Sequence, residues 1–227
     1  MGLRPERIHL VHLSTGAELR VTGPTDVAAV VCVNGGQRAL VEGTWSASLE
    51  WLVRRLAPQF PALAFAEVRY RIKSWNRFEW CVDDARAAIR ETAAPRTLVL
   101  GFSMGGGVAI AAADEPGVEA VVGLAPWIPK QVDLTRLRGR RLAVLHGSFD
   151  RPLLGIPGVT PASSRRAFDR ARALGIEGDY TRIPAASHGI AMRASSGRVV
   201  ALPRARAWER GVARELERFE RSRSIEG

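Results

Sequence analysis

The chain has 227 residues, 46% of them apolar and 25% charged, which is enough to bury a sizeable core and excludes disorder over most of its length. No run approaches the ~18 apolar residues of a membrane helix, and Met1 to Leu13 mixes charged and apolar residues where a secretory signal needs a basic start and an apolar middle. The formal net charge is +10 with only two lysines, Lys73 and Lys130; the arginines are scattered over nearly every segment, which reads as a compositional bias and not as a nucleic-acid interface.

Two strand-like runs, Arg7 to Leu13 and Glu18 to Thr22, flank Ser14-Thr15-Gly16 and predict a hairpin. Val27 to Val33 is nearly continuous apolar sequence, the pattern of a strand covered on both faces. Between Trp45 and Phe60 the period changes. Leu49, Leu52, Val53, Leu56 and Phe60 form one helical stripe, with Pro58 fraying the last turn. Strand and helix then alternate. Leu63 to Tyr70 is a strand and Phe78 to Ala93 a helix. Thr97 to Leu100 is a strand and Gly105 to Ala113 an Ala-rich helix. Val118 to Leu124 and Leu142 to Leu145 are strands, and Ala162 to Leu174 is a helix stopped by Gly175. Tyr180 to Ile183 reads as the last strand, and a final helix from about Arg204 to Arg221 places Trp208, Val212, Leu216 and Phe219 on one face. This alternation predicts a single doubly wound α/β domain: a mostly parallel sheet of about eight strands with helices on both faces. Cys32 and Cys81 make neither a disulfide framework nor a metal or redox spacing. The expectation is a soluble cytoplasmic protein with no membrane and no specific nucleic-acid partner.

Gly101-Phe102-Ser103-Met104-Gly105 is a G-x-S-x-G motif between an apolar strand and a helix-forming run. That context suits a nucleophilic serine, because a tight, strained turn lifts the hydroxyl clear of the sheet edge. Glycines at 101 and 105 remove Cβ atoms that would collide there. A serine needs a base, and the chain offers four histidines. His9 and His12 lie in the opening hairpin, and His146 ends a strand where packing or loop hydrogen bonding is its expected role. His188, in a small-residue loop after the last strand, has the best position. A carboxylate must orient the base. Asp150 fits, just past the strand ending at Leu145, with Asp133 as the alternative. Asp83, Asp84, Asp114 and Glu115 lie on helix patterns and read as solvated faces or caps. Serine, acid and histidine thus follow successive strands, whose loops share one edge of a parallel sheet. Asn34-Gly35-Gly36-Gln37 follows another strand, and an amide of Gly36 or Gln37 could join that of Met104 as an oxyanion donor.

With these motifs in place, the chain resembles the α/β-hydrolase superfamily, in particular small serine esterases and dienelactone-hydrolase-like proteins, over essentially its whole length. The resemblance implies Ser103 as nucleophile, His188 as base and Asp150 as acid, with no metal or organic cofactor. Two departures stand out. Dienelactone hydrolases proper use a cysteine nucleophile, so Ser103 argues against that chemistry. Asn34 stands where the family usually has His before Gly. Only about seventeen residues separate the strand ending at Leu124 from the next, so no large lid is expected. The pocket rim is expected from Trp75 to Trp80, Ala125 to Gln131 and Arg151 to Ser164, with Trp75 and Trp127 as substrate-binding candidates. Arg69, Arg71 and Lys73 are candidates for favouring an anionic substrate. The expected activity is hydrolysis of a small-molecule carboxylic ester or thioester through an acyl-enzyme. The alternatives are an acyltransferase using the same triad and a non-catalytic binding module of the same fold.

Overall fold

The structure, a computed structural model, describes residues 8–151 and 158–222. Eight strands form one sheet in the order β1-β2-β4-β3-β5-β6-β7-β8: β1 (Ile8–His12), β2 (Glu18–Thr22), β3 (Ala29–Val33), β4 (Ala64–Arg69), β5 (Thr97–Phe102), β6 (Val118–Leu124), β7 (Arg141–Gly147) and β8 (Glu177–Ile183). The β1–β2 and β2–β4 pairs are antiparallel and the rest parallel. Five helices pack on it: α1 (Ala47–Leu56), α2 (Phe78–Thr92), α3 (Gly105–Ala111), α4 (Pro161–Ala173) and α5 (Ala205–Arg221).

The strand alternation explains why both faces are covered. Along β3, Ala29, Val31 and Val33 join a core with residues of α2, α3 and α4, while Val30 and Cys32 join a second core with α1 and α5. Leu98 and Leu100 against Val99 repeat this in β5, and Ala143 and Leu145 against Leu142 and Val144 in β7. In α5 the predicted stripe of Trp208, Val212, Leu216 and Phe219 is buried. Helix α1 starts where the Ser46 side chain accepts from the Leu49 amide, and Pro58 turns its end into a short 3-10 segment, Ala57–Gln59. The chain leaves β3 toward β4 over one face and returns to β5 over the other. The strand order therefore reverses between β3 and β5, the point where open α/β sheets leave a crevice outside the C-terminal strand ends.

The last-strand assignment needs two corrections. β8 begins at Glu177, three residues before the predicted start, because its polar Glu-Gly-Asp opening lies at the sheet edge and carries no apolar signal. A separate two-stranded ribbon follows it, β9 (Ala191–Arg193) with β10 (Val199–Ala201), each strand too short to show a period. Residues 125–140 between β6 and β7 hold one 3-10 turn, Leu134–Leu137, and no large lid. No helix among the described residues is long and apolar enough to cross a membrane.

Candidate active site

Ser103 sits at the sharp turn from β5 into α3, with a left-handed φ of +56°, a conformation that costs a non-glycine residue energy and persists only where its surroundings enforce it. Those surroundings are visible. The Ser103 amide donates to the Leu124 carbonyl at 2.9 Å, and the Ser103 carbonyl accepts from the Trp127 amide at 2.8 Å and the Gly106 amide at 2.9 Å. The turn is thereby pinned to the end of β6 and to the start of its own helix. A Cβ on Gly101 would overlap the Gly105 backbone, so the first glycine of the motif is required by the closeness of the turn.

The loop after β3 leans on this turn. A Cβ on Gly35 would lie 3.2 Å from Cβ of Ser103, and one on Gly36 would overlap the Met104 side chain and lie 2.9 Å from the Trp75 ring. Asn34, buried, fixes the loop from inside: Nδ2 donates to the Thr44 carbonyl at 2.9 Å, Oδ1 accepts from the Gly35 amide at 2.7 Å, and its carbonyl accepts from the Tyr70 hydroxyl at 3.1 Å. Among the described residues no hydrogen bond occupies the amides of Gly36, Gln37 or Met104. The two segments proposed as oxyanion donors are thus in contact, with their N–H groups unspent.

Asp150 and His188 meet from different loops. His188 Nδ1 donates to Asp150 Oδ2 at 2.7 Å, and the Asp150 side chain is fully buried. The same oxygen lies 2.9 Å from Nε2 of His146, and Oδ1 accepts from the Val159 amide at 3.2 Å. Burial alone would push the Asp150 carboxyl up. The hydrogen bonds and positive character of His146 and His188 outweigh it and hold the group below the usual carboxylate value. The His188 ring packs on Phe102, the residue before Ser103, at 5.3 Å between ring centroids. Among the described residues Ser103 Oγ has no hydrogen-bond partner, so the Asp150–His188 link is made and a serine–histidine link is not. Such links are often long until substrate is bound.

A small cavity of about 130 Å³ opens at Ser103, lined also by Trp75, Trp127, Gly158 and Val159. Trp127 also meets the Phe78 ring edge-on at 6.0 Å. Part of the rim expected from Arg151 to Ser164 lies outside the described residues.

Other candidates fall elsewhere. Asp133 is exposed, and its carboxylate accepts from Thr135 at the start of the 3-10 turn and from no histidine among the described residues. His9 and His12 are exposed on β1. Arg69 and Arg71 are already matched by carboxylates, Arg69 with Glu18 and Glu42, Arg71 with Asp83 and Asp84, which removes them as free anion receptors. Lys73 donates to Thr44 Oγ1 at 2.8 Å. Asp84 and Glu115, expected on solvated faces or as caps, are buried. Glu115 takes both Arg86 and Arg90, and Asp84 accepts from the Arg71 amide.

No protein-family model and no curated protein sequence matches the chain. Solved structures do. An esterase from the fungus Rhizomucor miehei superposes with a TM-score of 0.67 at 16% identity, over 94% of this chain and 82% of that one. A dienelactone hydrolase from Anabaena variabilis gives 0.60 at 17% identity, over 95% and 97%. A dienelactone-hydrolase-like promiscuous phosphotriesterase from metagenomic libraries gives 0.64 at 14% identity, over 95% and 98%. The chain has the α/β-hydrolase fold. At these identities the likeness speaks for architecture alone. Within the α/β-hydrolase fold the turn after β5 and the loops after β3, β7 and β8 gather at one end of the sheet, where Ser103, Asp150 and His188 are found. Sequence reasoning placed Val159 and Ser164 only within the expected rim, Arg151 to Ser164, and gave His146 a packing or loop hydrogen-bonding role. The one available signal for a link to the carboxylate was the placement of His146 four residues before Asp150 at a strand end.

Proposed function

We propose that this α/β-hydrolase domain is a serine hydrolase that cleaves a small carboxylic ester or thioester through an acyl-enzyme. The observation that carries the reading is the pairing of a left-handed Ser103 at the turn between β5 and α3 with a buried Asp150 hydrogen-bonded to His188, whose ring packs on Phe102. The structural neighbours, which include esterases, add weight. Ser103 Oγ attacks the acyl carbonyl carbon as its proton passes to His188 Nε2. The carbonyl π electrons move onto oxygen, where the amides of Met104 and of Gly36 or Gln37 receive the charge. Collapse expels the alcohol or thiol, which leaves with the proton from His188, and Ser103 stays acylated. Water then repeats the sequence, giving its proton to His188 and releasing the acid. Asp150 stays ionised throughout and stabilises the imidazolium. Trp75 and Trp127 wall the acyl group. The buried free thiols, Cys32 and Cys81, suit a cytoplasmic setting.

A fluorophosphonate probe tests the reading. Labelling of the wild-type protein and none of Ser103→Ala is the expected result. Equal labelling of both, or of neither, overturns it.

A further inference from the structure

His146 is wholly buried at the end of β7, and every polar atom of its ring is engaged. Nε2 lies 2.8 Å from the Val159 carbonyl and 2.9 Å from Asp150 Oδ2. A carbonyl can only accept, so Nε2 carries the proton. Nδ1 lies 2.6 Å from the Ser164 hydroxyl oxygen. Around Ser164, the Tyr180 hydroxyl donates to the Pro161 carbonyl at 2.9 Å, and Ser164 Oγ lies 3.0 Å from that hydroxyl and 3.1 Å from the same carbonyl. The Val159 carbonyl thus fixes a proton on Nε2, and that N–H also faces the carboxylate oxygen that His188 uses.

Two imidazole N–H groups on one oxygen divide its negative charge. The share taken by His146 is constant, whereas the share offered to His188 rises when that ring takes a proton. From this geometry we infer that His146 is a positioning residue: it holds Asp150 in place and limits how strongly the carboxylate stabilises a protonated His188, so that the base stays neutral and ready down to lower pH. The inference rests on the Ser103–His188–Asp150 reading above. Other charged or titratable groups around His146 are few. Tyr180 faces it through Ser164 of α4. Arg165 of α4 stacks on Tyr180 at 5.2 Å, and Arg182 of β8 stands opposite His146 in register but is exposed.

The test compares the pH dependence of fluorophosphonate labelling in wild type, His146→Phe, His146→Asn and His146→Gln. Phe removes the donor, Asn is too short to reach Asp150, and Gln keeps an N–H near the position of Nε2. The midpoint of the acid limb should move up by about 0.5–1 pH unit in the Phe and Asn variants and stay near wild type with Gln. A constant loss of folded protein leaves the midpoint unchanged, circular dichroism over the same pH range separates acid unfolding of a weakened variant from a shift in the base, and Asn supplies the comparison should Phe fail to fold. Acid limbs that superimpose in all variants, or a change in plateau rate alone, overturn the inference. Labelling that survives Ser103→Ala overturns the underlying active-site reading instead.

Discussion

Gly105, the first residue of α3, lies so close to Val33 at the end of β3 that a Cβ there would overlap the Val33 carbonyl oxygen. The obstacle is backbone on both sides, so neither partner can swing away. This approach sets the spacing between the turn that carries Ser103 and the loop that carries Gly36. Gly105→Ala is expected to lower stability by about 1–3 kcal/mol, as overpacking does, and to cut fluorophosphonate labelling of the protein that remains folded. Thermal unfolding and labelling rate, measured together, check it; a variant with wild-type values in both would contradict the account.

Asp150→Asn is expected to keep the loop in place and to lower kcat/KM on an ester by about 10³–10⁴-fold, because an amide offers no charge to a protonated His188. Asp150 also bears on stability. Its carboxyl lies below the usual value of 3.8 in the folded protein. The stabilisation is therefore fully present above about pH 5, and it is lost as pH falls through 3.8 and then through the lower folded value. Denaturant unfolding of wild type and Asp150→Asn between pH 3 and 7 should show the difference between them shrinking toward the acid end.

Trp75 and Trp127 bound the small cavity at Ser103. Trp127→Ala is expected to shift preference among p-nitrophenyl esters toward longer acyl chains by about tenfold or more in relative kcat/KM, since a single methylene in an apolar pocket is worth that order of discrimination. A graded ester series reads the shift directly, and an unchanged chain-length profile would remove Trp127 from the acyl wall.

Arg20 and Glu67 face each other across β2 and β4 and share hydrogen bonds of 2.7 and 3.0 Å. Glu50 and the Trp45 ring, 4.6 Å from the guanidinium, complete the surroundings of Arg20. Burial pushes the Glu67 carboxyl up even with Arg20 beside it. Arg20→Leu strands this carboxylate and should cost about 2–4 kcal/mol near neutral pH, less than for a fully enclosed pair because the arginine is partly exposed. Chemical denaturation measures it; a loss below ~1 kcal/mol would show that water reaches Glu67 freely.

Much of the positive charge is met inside the molecule. Arg86 pairs with Asp114 and Glu115, Arg96 with Glu119, and Arg218 with Asp179. Retention on immobilised duplex DNA should accordingly be weak, insensitive to sequence and abolished by modest salt. A sequence-dependent, salt-resistant complex would speak for a built interface.

Most elements were legible because each carries its own period and its own punctuation: the Leu49–Leu56 stripe closed by Pro58, the Trp208–Phe219 stripe, and the unbroken apolar run into Val33. The tight turn at Ser103 was legible because its motif lies between a strand and a helix. What stayed hidden depends on partners distant in sequence. Asp84 and Glu115 look solvated beside their helical neighbours, and their burial follows from arginines brought by other segments. The proton on Nε2 of His146 is fixed by the carbonyl of Val159, thirteen residues away. The β9–β10 ribbon is too short for any alternation to register.

The strand at one rim of the sheet, β8, is polar along most of its length, with Glu177, Asp179 and Arg182 exposed. A foreign strand laid alongside would have to set its own side chains among fixed charges of both signs, Asp179 being already held by Arg141 and Arg218. An unpaired row of backbone groups is an invitation to fibre growth, and ionic side chains along it are a recognised deterrent. The same arginine-rich composition that lends this molecule its unusual basicity thus also guards its open flank against self-association.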